Sequence, residues 1–251
     1  MPPEWRLVDS GLVQPPESAA LDEAILEAHT KGGAPNTLHF YRRSVPTISL
    51  GYFQKAADAA DLEECARRGV TLIRRKSGGS AIYTDSGQLI YGLVVSEDDL
   101  PGGRAESFRV ICSAMAKAIS AFGVDAKFRP PNDVEVGGRK VSGNAQLVRK
   151  GSVLQHGTVL VDTDVDNMAA VLRVDRSKSP SLAKASDRVA TLSSILGRVP
   201  DMQAVKDNLV REIGLAFGTG FTSHSLTSEE KDLVRSLAEE RYSCEDWNLR
   251  F

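Results

Sequence analysis

Short alternating runs and helical stripes follow one another along this chain without a regular βαβ beat. Trp5-Arg6-Leu7-Val8-Asp9 reads as an opening strand, and a Gly/Pro break through Pro16 leads into a helical stripe of Leu21, Ala24, Ile25 and Ala28. Acidic Glu17, Asp22 and Glu23 crowd the front of that helix and Lys31-Gly32-Gly33 closes it, in agreement with the macrodipole. Residues 37–41 and 47–52 read as strands around a turn at Arg43-Ser44-Val45-Pro46, with His39 an ordinary strand residue, and residues 56–68 as a short helix ending before Gly69. The strongest stripe of the first half is Phe108, Ile111, Met115, Ile119 and Phe122, with Cys112 beside it as a small buried hydrophobe. Residues 124–128 alternate as a half-buried strand that Pro130-Pro131 stops, and residues 152–161 form another. Beyond Asp164 the pattern turns helical: through Met168 to Leu172, over residues 189–196, and along Met202, Val205, Leu209, Ile213 and Phe217. Thr227 and Glu230 make a capping-box signature for a last helix carrying Leu233, Val234 and Leu237.

Two stretches depart from simple core patterning. The first runs from Arg74-Arg75-Lys76-Ser77-Gly78-Gly79-Ser80 to Leu89-Ile90-Tyr91-Gly92-Leu93-Val94-Val95, with apolar Val70-Thr71-Leu72-Ile73 leading in and the later run carrying the chain back. Two arginines at a diglycine bend suit an anion, because guanidinium forks and inward-turned backbone N–H groups both bind one. The same residues suit a plain hairpin with solvated arginines, and the stretch alone does not choose. The second runs from Asn132 to Gln146. With Gly137-Gly138 as a two-residue turn, Val136 opposes Arg139, Glu135 opposes Lys140 and Asp133 opposes Ser142. Period-two alternation then sets Val134, Val136, Val141 and Ala145 on one face and Asp133, Glu135, Lys140, Ser142, Asn144 and Gln146 on the other. That polar face either meets water or presents a rigidly held lysine to the same cleft as the diglycine bend.

Composition narrows the function classes. A chain of 251 residues with 41% hydrophobic content can bury a large core, and a net charge of −2 argues against a general nucleic-acid or membrane-surface binder. Three scattered cysteines and four scattered histidines lack the spacing of a disulfide framework or a structural zinc site. No export pattern opens the chain and no apolar run spans a bilayer, so a cytoplasmic protein is expected. Neither GxxxxGK[ST] nor GxGxxG occurs. The expected fold is α/β of the α+β type, a mixed, largely antiparallel sheet flanked by helices, as one domain over residues 1–251 or as a main domain with a small appendage.

The residues also carry a resemblance. Arg74-Arg75-Lys76-Ser77-Gly78-Gly79-Ser80-Ala81 with Asp85 and Gly87, Asn132-Asp133-Val134 with Gly138-Arg139-Lys140-Val141-Ser142-Gly143-Asn144-Ala145, and His156-Gly157-Thr158 together resemble the lipoate-protein ligase A family, within the wider biotinyl/lipoyl ligase and lipoyl transferase group. Leu21-Asp22-Glu23-Ala24, Gly51-Tyr52-Phe53-Gln54 and the closing Tyr242-Ser243 to Trp247-Asn248 fit as well, so the similarity covers nearly the whole chain.

The resemblance implies a biotinyl/lipoyl-ligase-like catalytic domain that activates lipoate with ATP to lipoyl-AMP and passes the lipoyl group to a lysine of a lipoyl-domain protein. Such acceptors are the E2 subunits of 2-oxoacid dehydrogenases or the glycine cleavage H protein. It implies Lys140 as the catalytic group that stabilises charge at the reacting carboxyl and phosphate. Arg75, Gly78, Gly79 and Ser80 would line the adenylate loop, Asn132 and Asp133 would hold phosphates, and Asp133 would hold a magnesium ion. Ser142, Gly143, Asn144, Ala145 and Thr158 would edge the nucleotide pocket, and Tyr83, His156 and Gly157 the acyl pocket. The family usually has a third glycine where Ser80 stands and a histidine where Thr84 stands, which leaves the acyl preference open. The family's accessory domain is expected to be absent, so a separate small subunit would serve adenylation.

The alternative within the same fold is a lipoyl or octanoyl transferase that takes the acyl group from a carrier protein through a cysteine thioester. Such relatives place a cysteine just upstream of the Gly-Arg-Lys strand or near the end of the core sheet. Here Pro130-Pro131-Asn132-Asp133 stands at the first place and no cysteine occurs from residue 113 to 243. A non-catalytic lipoyl-binding protein is a third expectation, to which Lys140 is opposed.

Overall fold

The structure is a computed structural model that describes residues 4–173 and 188–251. The chain opens with a crossover: β1 (Glu4–Val13), α1 (Pro15–Thr30) and β2 (Thr37–Arg43), with β1 and β2 parallel and Leu7 in register with Leu38. It then leaves that sheet. β3 (Thr47–Leu50), α2 (Ala56–Ala59), α3 (Leu62–Arg67), β4 (Thr71–Arg74) and β5 (Ile82–Thr84) build a separate three-stranded sheet, in the order β4-β3-β5. The chain returns as β6 (Gln88–Ser96), crosses one face as α4 (Gly103–Ser120), and continues through β7 (Ala126–Arg129), β8 (Asp133–Val136), β9 (Arg139–Arg149) and β10 (Ser152–Leu160). After α5 (Val165–Val171), α6 (Leu192–Leu196) and α7 (Met202–Phe217), β11 (Gly220–Ser223) adds to the edge, followed by α8 (Ser228–Leu237) and α9 (Glu245–Asn248).

The large sheet has the order β11-β1-β2-β6-β10-β9-β8-β7, parallel over its first two pairs and antiparallel over the rest. It is the mixed, largely antiparallel sheet flanked by helices that the pattern predicts. Helices cover both faces of its centre, which explains why β6 reads as an unbroken apolar run. On one face Leu89, Tyr91, Leu93, Val153 and Val159 pack with Ile111, Met115 and Ile119 of α4 and Leu209 and Ile213 of α7. On the other, Ile25 and Leu26 of α1 meet Val94 and Leu154, and Leu21 meets Tyr41 and Ile90. Each such side chain contributes roughly 1.5–3 kcal/mol by leaving water.

Three local expectations change. The strands over residues 37–41 and 47–52 do not pair as a hairpin: β2 lies in the large sheet and β3 in the small one. The apolar runs either side of the diglycine bend likewise part, β4 into the small sheet and β6 into the large. Local pattern names strands but not their partners, and Gly51 and Ser86-Gly87 let the chain change layers. The helix over residues 56–68 divides into α2 and α3, because Asp61 accepts from the Glu64 N–H and caps a second start. The capping box at Thr227 and Glu230 is present. The Ser/Lys/Arg-rich stretch with Lys178 and Lys184, which sequence reads as a lid or a linker, lies outside the described residues. Among those described, no helix is long and apolar enough to cross a membrane.

Candidate active site

A cleft of about 1220 Å³ lies between the two sheets and the N-terminal half of α1. Its floor is the diglycine loop that follows β4. The two arginines leading into that loop do different work. Arg74 is wholly buried and donates to the carbonyls of Gly51, Tyr52, Gln54, Trp247, Asn248 and Arg250, so it ties the small sheet to the C-terminal tail. Arg75 donates to the carbonyls of Ser49, Gly78 and Ser80 and to Ser77 Oγ, while burial pulls its guanidinium down to about 10, still cationic near neutrality. Its fork is therefore spent on shaping the loop from beneath, where Gly79 turns with φ 96°. An arginine pair at a glycine bend carries no sequence mark that separates this arrangement from a ligand-facing one.

A side-chain relay crosses the cleft from α1. His156 on β10 lies with Nδ1 2.5 Å from Asp22 Oδ2 and Nε2 2.7 Å from Ser77 Oγ. A carboxylate only accepts, so Nδ1 carries the proton; in the neutral ring Nε2 then accepts from the Ser77 hydroxyl. Behind Asp22, His39 stacks on Tyr41 with centroids 4.9 Å apart and holds Nδ1 3.7 Å from Asp22 Oδ1. Burial lowers the His39 pKa to about 4, although Asp22 opposes the shift, so this imidazole is neutral.

The lysine reaches the same cleft through a change of register. Val136 opposes Arg139 and Glu135 opposes Lys140 as the hairpin predicts, but Asp133 opposes Gly143 and Val134 opposes Ser142. A bulge has slipped one extra residue into β9 at Val141, and the alternation is rephased beyond it. Val141 and Ser142 are both buried, Asn144 accepts from the Tyr91 hydroxyl at 2.6 Å, and Gln146 bonds Ser107 and Gln155 toward α4. Strict alternation puts Ser142, Asn144 and Gln146 on one face with Lys140; past the bulge they leave that face, and Gly143 and Ala145 take their place beside it. Lys140 pairs with Asp133 at 2.7 Å rather than with Glu135, which pairs with Arg129 at 2.6 Å. Its ammonium lies across Gly143, where a Cβ would sit 2.4 Å from Lys140 Nζ and would displace the lysine. Gly157 permits a close approach of its neighbouring strand: a Cβ would fall 2.2 Å from Asn144 Oδ1.

Of the residues implied by resemblance, Arg75, Gly78, Gly79, Ser80, Tyr83, Asn132, Asp133, Lys140, Gly143, Asn144, Ala145, His156, Gly157 and Thr158 all border this cavity. Ser142 does not; it is buried behind the sheet. Asp22 and Ser77 stand within the motifs, but sequence gives them no role, since the contacts that join them to His156 span 134 and 79 residues. The magnesium expectation finds a poor donor set. Asp133 is committed to Lys140, and no group of three or more His, Cys, Asp or Glu side chains suited to a metal occurs among the described residues.

No described cysteine borders the cavity either. Cys112 is buried with its pKa pushed up to about 12 by desolvation, Cys65 is buried and raised for the same reason, and Cys244 lies in the tail.

Comparison with known proteins then bears on the reaction. A family model described as lipoyl protein ligase A/B catalytic domain matches residues 14–214. Octanoyltransferase LipM of Symbiobacterium thermophilum is 33% identical over 274 aligned positions, covering 100% of both chains. The LipM of Moorella thermoacetica is 35% identical with the same coverage. Among solved structures, a bi-partite lipoate protein ligase from Thermoplasma acidophilum, described with its E2 lipoyl domain, superimposes with a TM-score of 0.85 at 32% identity, covering 98% of this chain and 96% of that one. A lipoate-protein ligase A bound with ATP gives 0.86 at 30% identity, covering 98% and 99%. The octanoyltransferase names on these full-length relatives overturn the expectation of an ATP-dependent lipoate ligase in favour of the transferase alternative. Matched along most of its length by one family model and end to end by these relatives, this chain belongs to the lipoyl protein ligase A/B catalytic domain family.

Proposed function

We propose that this chain is an octanoyl or lipoyl transferase. It takes the acyl group from a carrier-protein thioester and delivers it to a lysine amine of a lipoyl-domain protein. The observation that carries this reading is the meeting of Lys140, the diglycine loop and His156 in one cleft beside an apolar wall of Ile90, Leu147, Leu154 and Leu160. The acyl chain lies along that wall, each buried methylene contributing about 0.8 kcal/mol. Its carbonyl faces Lys140, whose ammonium is fixed by Asp133 and by the flat surface of Gly143. As the thioester carbonyl becomes tetrahedral, negative charge grows on its oxygen, and a preplaced cation in a partly dry site stabilises that charge more than the ground state. Transfer from thioester to amide is downhill, so no nucleotide is consumed. The acceptors in view are the lipoyl domains of 2-oxoacid dehydrogenase E2 subunits and the glycine cleavage H protein.

The test is the intact mass of an apo lipoyl domain after incubation with this chain and octanoyl-carrier protein, without nucleotide. The expected result is the addition of one octanoyl group at the acceptor lysine. Modification that needs free octanoate or lipoate together with ATP, and does not draw on the carrier thioester, would overturn the reading.

A further inference from the structure

A carrier-to-lysine transferase of this fold that works through a protein nucleophile needs one in the cleft, and no described cysteine borders it. Resting on the transferase reading, we propose that Ser77 is that nucleophile and carries the acyl group as an oxygen ester, with His156 as its base and Asp22 as a positioning residue. Three contacts support the assignment. The distances of 2.5 Å from Asp22 to His156 and 2.7 Å from His156 to Ser77 reproduce the nucleophile, base and orienting-acid order that recurs on unrelated folds. Arg75 Nε donates to Ser77 Oγ at 3.0 Å, so a fixed positive charge stands beside the oxygen that becomes an alkoxide. The backbone N–H groups of Gly78, Gly79 and Ser80, next along the loop, have no hydrogen-bond acceptor among the described residues, and in this proposal they receive the oxyanion.

The chemistry balances in two halves. Ser77 Oγ attacks the thioester carbonyl while its proton passes to His156 Nε2; the carbon–oxygen bond forms, the carbon–sulfur bond breaks, and the same proton leaves on the carrier thiol. The neutral acceptor amine then attacks the ester carbonyl and gives a proton to His156. The carbon–nitrogen bond forms, the carbon–oxygen bond breaks, and Ser77 Oγ takes that proton back. Ser77 borders the cavity at only 1% exposure, so bulk water is kept from the ester between the two halves.

The experiment uses the full chain with octanoyl-carrier protein, first without acceptor and then with an apo lipoyl domain. The expected results are a stoichiometric burst of carrier thiol, one octanoyl group on the peptide containing Ser77, and ping-pong kinetics once acceptor is present. Ser77→Ala should abolish the adduct and lower turnover at least about 10³-fold, and Ser77→Cys should restore an adduct that hydroxylamine cleaves as a thioester. Thermal melts of both variants separate loss of chemistry from loss of fold. Turnover by the wild-type chain with no adduct, with an adduct elsewhere, or with Ser77→Ala active within threefold, overturns the serine while leaving the transferase standing. Absence of carrier-dependent turnover in the wild-type chain removes both.

Discussion

Lys140 acquires its place from neighbours in its own hairpin: Asp133 pairs with it, Gly143 leaves room for it, and the bulge at Val141 aims it. Replacing it with alanine removes the cation that meets the developing oxyanion, so kcat for acyl transfer should fall by about 10²–10³-fold. The lost side chain is partly exposed, and a melting curve should move little while the turnover assay changes. His39 predicts the opposite separation. Its folded pKa of about 4 lies below the unfolded value of 6.5, so the unfolded chain binds the extra proton first. Its contribution is complete above pH 6.5 and is lost as pH falls toward 4, at a cost of up to about 3 kcal/mol. Asp22 faces it from α1, Arg6 and Asp9 from β1, and Glu230 from α8, so the comparison requires a partner-neutral change. Denaturant unfolding of the wild type and of His39→Phe across that range should show a shallower acid decline in the variant.

Among the elements, the attachment of α8 to β1 depends on one charged contact. Arg6 and Glu230 are 5% and 1% exposed, form two bonds of 2.8 and 2.6 Å, and Glu230 also completes the capping box of its own helix. Removing one partner of such a pair leaves an unpaired buried charge. Glu230→Ala should destabilise the fold by ~3–5 kcal/mol, and the doubly apolar Arg6→Met, Glu230→Leu variant should recover a large part of that. Equilibrium denaturation of the single and double variants measures both. The stripes that specify α4, α7 and α8 were legible because each is a local repeat of apolar positions on one face. The bulge in β9 was not, because nothing local to Val141 and Ser142 distinguishes a ladder that gains one residue from one that does not.

Across the whole molecule, the cleft exists because the small sheet and α1 close over one face of the large sheet while α4 and α7 fill the other. Two cysteines are kept from it by that arrangement: Cys65 sits in the small-sheet core, and Cys112 lies on α4 facing the core of the large sheet's other face. A chain with Cys65, Cys112 and Cys244 all replaced by alanine should therefore keep carrier-dependent octanoyl transfer within a few-fold, although the two buried changes cost stability. Assaying the triple variant below its melting range tests this, and loss of transfer in a folded protein would return a cysteine to the mechanism.

Sequence by itself determined what is local. The helices and strands, the capping box, and the polar character of the two motif stretches follow from residue spacing and turn chemistry within a dozen positions. The resemblance of those motifs reached the family and most of the cavity lining, because motifs keep their order when loops change. Tertiary structure decided which strands pair, that Arg75 serves the loop from beneath, that Ser142 turns away from the cleft, and that Asp22, His156 and Ser77 meet. The strand pairing and the meeting of Asp22, His156 and Ser77 depend on contacts between residues scores of positions apart, and the other two on backbone geometry that residue type does not mark. They are fixed only when burying the faces of α1, α4 and the two sheets together selects one arrangement of the backbone.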